Sequence, residues 1–111
     1  MQRGDVYYAN LDSSQGSETQ KTRPVVIVSN NAANLASALV TVLPLTSNVA
    51  RIYPFEVRLI AKDTGLDKDS KAMAQQVRTL DKGRLGLKAA GQVPAGLMVK
   101  IDAALKLHLA L

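Results

Sequence analysis

The residue with the strongest claim to chemistry is Arg23. It stands at the mouth of an unbroken apolar run, Val25-Val26-Ile27-Val28, with Pro24 between the two. Four consecutive β-branched residues predict a central strand buried on both faces, because a half-exposed strand would alternate. Pro24 has no N–H to offer a ladder and suits the first residue of such a strand. A guanidinium held at the rim of a rigid sheet, beside a polar loop, can meet a phosphate with several directed hydrogen bonds. The same placement also suits a surface salt bridge that caps the sheet, and the stretch by itself leaves both readings open.

Thr46 is the second candidate. It follows Leu39-Val40-Thr41-Val42-Leu43-Pro44-Leu45, a run that predicts another buried strand, stopped by Pro44. If the two strands are neighbours, a guanidinium and a hydroxyl converge on one phosphate. Otherwise Thr46 caps the loop that follows. RNA carries its own nucleophile, the 2′-OH, so a site need only align it and stabilise the charge developing on the phosphate. Neither residue requires a metal or a base of lowered pKa for that.

Other chemistry is excluded by composition. The chain has no cysteine and one histidine, so any Ser-His-Asp or Cys-His arrangement would have to use His108. That residue falls near the end of an apolar helix face, where a structural or helix-terminal role fits. Asp63, Asp67 and Asp69 cluster around a glycine, but their spacing misses the calcium-loop pattern and reads as a solvated turn. Gly83, Gly86 and Gly91 do not form a phosphate-binding loop. No metal and no nucleotide cofactor is expected.

The elements that must position Arg23 and Thr46 follow from patterning. Val6-Tyr7-Tyr8-Ala9 predicts a first strand, and residues 10–22 a polar loop, long enough at about 13 residues to suggest function. Asn30-Asn31-Ala32-Ala33-Asn34 predicts a brief helical turn. Tyr53, Phe55, Val57 and Leu59 alternate with Glu56 and Arg58, which predicts a strand with the two charges on its outer face. A turn at Asp63-Thr64-Gly65-Leu66 precedes one further strand over 72–80. A tight turn over 81–85 and a last strand over 87–93 follow. Pro94 suits the first turn of a helix running to about His108, with Leu97, Met98, Ile101, Ala104, Leu105 and His108 on one side. Strands closed by one terminal helix predict an α+β fold with a twisted, mostly antiparallel sheet, in a single domain over residues 1–111.

The charge balance adds a direction. The chain of 111 residues carries a net charge of +5. Arg3, Lys21 and Arg23 are balanced by Asp5, Asp12 and Glu18, so the whole excess lies beyond residue 50, densest at Arg78, Lys82, Arg84 and Lys88. That leans toward a polyanionic partner. There is no long apolar run and no signal-peptide core after Met1, so a cytoplasmic protein without a membrane segment is expected.

Several short pieces, in order and at consistent spacing, carry a family resemblance. They are Arg3-Gly4-Asp5-Val6-Tyr7, Gly16-Ser17-Glu18, Arg23-Pro24-Val25 and Leu43-Pro44-Leu45-Thr46-Ser47. Further on come Tyr53-Pro54-Phe55-Glu56-Val57, Asp69-Ser70, the run 76–85 from Gln76-Val77-Arg78 onward, and Ile101-Asp102-Ala103-Ala104-Leu105. Together they resemble the MazF/PemK family of toxin endoribonucleases (mRNA interferases). The resemblance implies a small SH3-like, CcdB-like β-barrel sheet with a C-terminal helix, assembled as a two-fold homodimer. It implies metal-independent, sequence-specific cleavage of single-stranded mRNA to 2′,3′-cyclic phosphate and 5′-OH ends, neutralised by an acidic MazE-like antitoxin. Arg23 and Thr46 match the family's essential arginine and threonine, and Glu18 its loop glutamate, in a role in proton transfer or in ordering Arg23. By position, Arg3, Ser17, Gln76 and Arg78 would line the RNA groove. Thr19-Gln20-Lys21-Thr22 replaces glycines found in many relatives. The competing reading is a non-catalytic, CcdB-type toxin that binds DNA gyrase; a third is a fold relative that binds nucleic acid without cutting it.

Overall fold

A computed structural model describes residues 1–11 and 22–111. Among these the elements run β1 (Asp5–Asn10), β2 (Thr22–Ile27), α1 (Asn31–Ala36), β3 (Leu39–Thr46), β4 (Glu56–Leu59), α2 (Ala61–Thr64), β5 (Ser70–Met73), β6 (Arg78–Asp81), β7 (Gly91–Gln92) and α3 (Ala95–Leu109). Every strand pairing is antiparallel, in the order β4-β5-β3-β2-β1-β7. β3 carries β2 along one edge. On its other edge it pairs first with β6, from Leu39 to Val42, and then with β5 at Leu45 and Thr46. A bridge between Ala9 and Leu85 brings the chain beyond β6 back to β1. The sheet is thus a curled half-barrel with a C-terminal helix, the α+β arrangement expected.

The absence of alternation in the run 25–28 has the expected cause. Val26 packs into one core with Val6, Leu43, Leu45, Leu59, Met98 and Ile101, under α3. Val25 and Ile27 pack into a second, with Tyr7, Ala9, Val40, Val42 and Leu80, inside the curl. β2 therefore buries both faces, at about 1.5–3 kcal/mol for each large side chain removed from water. On α3, Met98, Ile101 and Ala104 are buried while Leu97 and Leu105 are half-buried, and His108 lies exposed in the last turn. Asn30 caps α1, its side-chain oxygen accepting from the Ala33 N–H at 2.8 Å.

Four expectations are corrected. β3 is not stopped by Pro44 but continues to Thr46; Pro44 falls where that edge passes from β6 to β5, so its missing N–H costs no ladder bond. β4 begins only at Glu56, because Pro54 and Phe55 form a turn. Tyr53 is consequently exposed and Glu56 buried, the reverse of the alternation. The single strand expected over 72–80 is two, β5 and β6, divided by a 3-10 turn at Ala74–Gln76. The strand expected over 87–93 is reduced to Gly91 and Gln92, with Leu87 fully exposed.

Gly91 owes its place to a close approach. A Cβ there would stand 1.9 Å from the Thr64 carbonyl oxygen, a backbone atom that cannot swing aside. Gly91→Ala is expected to force β7 away from α2 and to lower stability by about 1–3 kcal/mol, as overpacking does. Urea denaturation checks this; an unchanged midpoint would show that the contact relaxes freely.

Candidate functional site

Arg23 and Thr46 are brought together by strand register. Val25 pairs with Pro44 and Val26 with Leu43, and continuing that register sets Arg23 directly opposite Thr46 at the ends of β2 and β3. Both line one cleft of about 390 Å³, with Tyr8, Pro24, Leu45, Ser47, Leu66, Asp67, Lys68 and Ser70. Neighbouring strands stand roughly 5 Å apart, so the two side chains are within reach of one phosphate. β2 starts one residue before Arg23, so the arginine is the second residue of the strand, paired with Ala9 of β1, rather than lying outside it. Its neighbour Pro24 pairs with Tyr8 of β1.

Arg23 is exposed and has no ion-pair partner among the described residues, where the pairs are Arg3–Asp102, Arg58–Asp69 and Lys71–Glu56. A capping salt bridge for Arg23 is therefore not formed with them. Thr46 is half-buried, and its Oγ1 accepts a hydrogen bond from the Asn48 N–H at 3.3 Å, which keeps its own O–H free to donate. The capping reading of Thr46 and the phosphate reading are thus compatible.

The remaining predicted residues divide. Arg78 stands opposite Val42 on β6 and donates to the Leu11 carbonyl at 3.3 Å. Gln76 is exposed on the 3-10 turn before it. Neither lines the cleft itself. Arg3 is elsewhere: its Nε donates to the Val28 carbonyl at 2.9 Å and its guanidinium pairs with Asp102 of α3. Val28 lies beyond the far end of β2, roughly 15 Å along the strand from Arg23. Ser17 and Glu18 lie outside the described residues. Asn10 and Thr22, which flank that segment, pair with each other one residue from Arg23.

Sequence reasoning missed two features. Asp67, read as part of a solvated turn, lines the cleft, and its neighbour Lys68 gives the cleft a second cation. Glu56 and Lys71 form a buried ion pair beside Thr46, with side chains 2 % and 10 % exposed and Nζ to Oε1 at 2.9 Å. Burial by itself would raise the Glu56 carboxyl pKa. Hydrogen bonds from the Tyr53 N–H and the Gln75 amide, and Lys71, outweigh it and hold the group below its ordinary value. Among the described residues, no three of His, Cys, Asp and Glu gather as a metal-binding group. No described helix is long and apolar enough to cross a membrane.

A curled antiparallel sheet under a terminal helix, with an arginine set against a threonine at two paired strand ends, defines the class of fold and site. Residues 2–109 match the family described as PemK-like, MazF-like toxin of type II toxin–antitoxin system, and the chain belongs to that family. It is 46 % identical over 114 residues to Endoribonuclease MazF9 of Mycobacterium tuberculosis, covering 98 % of this chain and 96 % of that protein. It is 42 % identical over 112 residues to Endoribonuclease MazF of Staphylococcus epidermidis, covering 100 % and 92 %. Among solved structures, a mycobacterial endoribonuclease in complex with its cognate antitoxin superposes with a TM-score of 0.82 at 33 % identity, covering 100 % of this chain and 96 % of that one. MazF from Deinococcus radiodurans superposes at 0.80 with 26 % identity, covering 100 % and 97 %.

Proposed function

We propose that this chain is a toxin endoribonuclease that cuts single-stranded mRNA at the Arg23–Thr46 pair, without a metal. The observation that carries the reading is the strand register, which sets a guanidinium and a hydroxyl opposite one another in one cleft. The relatives' shared naming as endoribonucleases supports the same activity and does not favour a gyrase-binding toxin.

In the proposed reaction the ribose 2′-OH attacks the adjacent phosphorus. The 2′-O–P bond forms as the P–O5′ bond breaks, giving a 2′,3′-cyclic phosphate and a 5′-OH. The proton leaves the 2′ oxygen for a base, with Glu18 the candidate, and the departing 5′ oxygen takes a proton from solvent water, whose hydroxide is neutralised by the proton the base gives up. Arg23 donates to the non-bridging phosphate oxygens as their charge grows, and the Thr46 hydroxyl adds a second donor. Lys68 and Arg78 attract the backbone, Ser17 and Gln76 read unstacked bases, and Arg3 contacts the strand's periphery. The chain works as one domain in a cytoplasmic homodimer and is neutralised by a MazE-like antitoxin, as the antitoxin-bound structural relative suggests.

Primer extension on a long unstructured RNA, incubated with the protein in EDTA, tests this. Cuts at one recurring short sequence are expected. Intact RNA with growth arrest by the expressed protein would instead favour the gyrase-binding toxin, and RNA retention without products a binding-only protein.

A further inference from the structure

The buried polar network next to Thr46 is left unused by the proposed reaction. Lys71 lies directly opposite Thr46 across β3 and β5, so the two share a face of the sheet. Its Nζ donates to Glu56 Oε1 at 2.9 Å and to the Arg51 carbonyl at 2.7 Å, and it stands 5.7 Å from the centre of the Tyr53 ring. Glu56 Oε1 also accepts from the Tyr53 N–H at 3.0 Å, and Oε2 accepts from Gln75 Nε2 at 2.7 Å. Gln75 Oε1 is buried with no partner, so that side chain gives up one hydrogen bond to keep its amide on Glu56.

We infer that Glu56, Lys71 and Gln75 are positioning residues that fix the segment 47–55, and through it the Thr46 hydroxyl, against Arg23. The inference rests on the reading of Arg23 and Thr46 as the cutting pair. Segment 47–55 leaves the sheet at Thr46 and re-enters it at Glu56 with no regular structure between. It is tied to β5 at Thr46 by the ladder and at Arg51 by Lys71, and to the start of β4 by the Tyr53 N–H on Glu56, which Lys71 in turn holds. A buried ion pair is weak as a source of stability, since apolar residues of the same volume often serve as well. Its worth here is geometric. Without the Lys71 clamp on Arg51, the segment leading out of Thr46 can shift, and a displacement near 1 Å is enough to spoil alignment.

Lys71→Met keeps the side chain's length and removes the clamp. In single-turnover cleavage of a short RNA carrying the site, measured well below each variant's melting temperature, it is expected to lower the rate constant on the order of 10–10²-fold while leaving RNA affinity nearly unchanged. Lys71→Arg restores part of the rate. In the Thr46→Ala background, Lys71→Met adds no further loss, because the residue it positions is gone. An unchanged rate in folded Lys71→Met, or a full additional loss beside Thr46→Ala, overturns the inference. Should Lys71→Met not fold, Glu56→Gln with Lys71→Met removes both charges together and is read by the same two criteria. Wild-type protein that fails to cut would overturn the underlying reading instead, and that result is visible without any variant.

Discussion

Replacing Arg23 with alanine is expected to slow RNA cleavage by on the order of 10²–10³, the loss produced by removing one preorganised donor from a charge-developing site. In barrier terms that is about 2.7–4 kcal/mol. The expectation is separable from stability because Arg23 is exposed and pairs with no described acid, so the variant's thermal midpoint should hardly move. Arg23→Lys keeps the charge but loses the planar fork, and should recover only part of the rate. Thr46→Ala should cost less than Arg23→Ala, since a neutral hydroxyl is the weaker donor. Thr46→Ser, which retains the hydroxyl, should keep much of the wild-type rate. If both side chains act on the same phosphate, the double variant loses less than the two single losses combined. Primer extension and gel-resolved time courses read all five variants. Near-wild-type cutting by Arg23→Ala would remove it from the mechanism.

How much of this was legible beforehand depended on how local the cause was. The run 25–28 announced a doubly buried strand because composition alone excludes an exposed face, and two separate cores flank β2 as that requires. The run beginning at Asn30, and Pro94, marked helix starts for equally local reasons, and the structure makes both residues N-caps, Pro94 one position before the first turn it was expected to join. The types of Arg23 and Thr46 were legible, but their meeting was not, because register is a property of two strands separated by α1. Glu56 was misplaced for the same reason. Alternation with Tyr53, Phe55 and Val57 sends it outward, yet the turn at Pro54 and Phe55 breaks the period, and the groups that make burial tolerable, Lys71 and Gln75, come from β5 and the 3-10 turn after it. Asp67 read as part of a solvated turn, and it lies with Lys68 in a bend; only the folded sheet shows that this bend borders the cleft. Arg3 is a further case: the partners of its guanidinium, Asp102 and the Val28 carbonyl, come from α3 and from just past the end of β2, and no local pattern announces them.

Glu56→Ala carries the largest stability effect expected. It leaves the Lys71 ammonium, 10 % exposed, without its counter-charge, and breaking a buried pair in this way typically costs about 3–5 kcal/mol. Against a total of roughly 5–15 kcal/mol for a domain, that is a large share. Removing both charges with apolar replacements should cost far less, because the penalty comes from the stranded charge rather than from the lost attraction. The pair also sets an acid limb. The Glu56 carboxyl titrates in the folded chain below its ordinary value of 4.5, so its contribution is complete above that value and is lost as pH falls through the lowered one. Stability of the wild type should therefore decline on acidification below about pH 4.5, and Glu56→Gln should flatten that decline while lowering the plateau at neutral pH. Urea denaturation across pH 3–7 reads both effects, the range spanning the carboxylate titrations. An identical acid limb in Glu56→Gln would show that Glu56 does not set it.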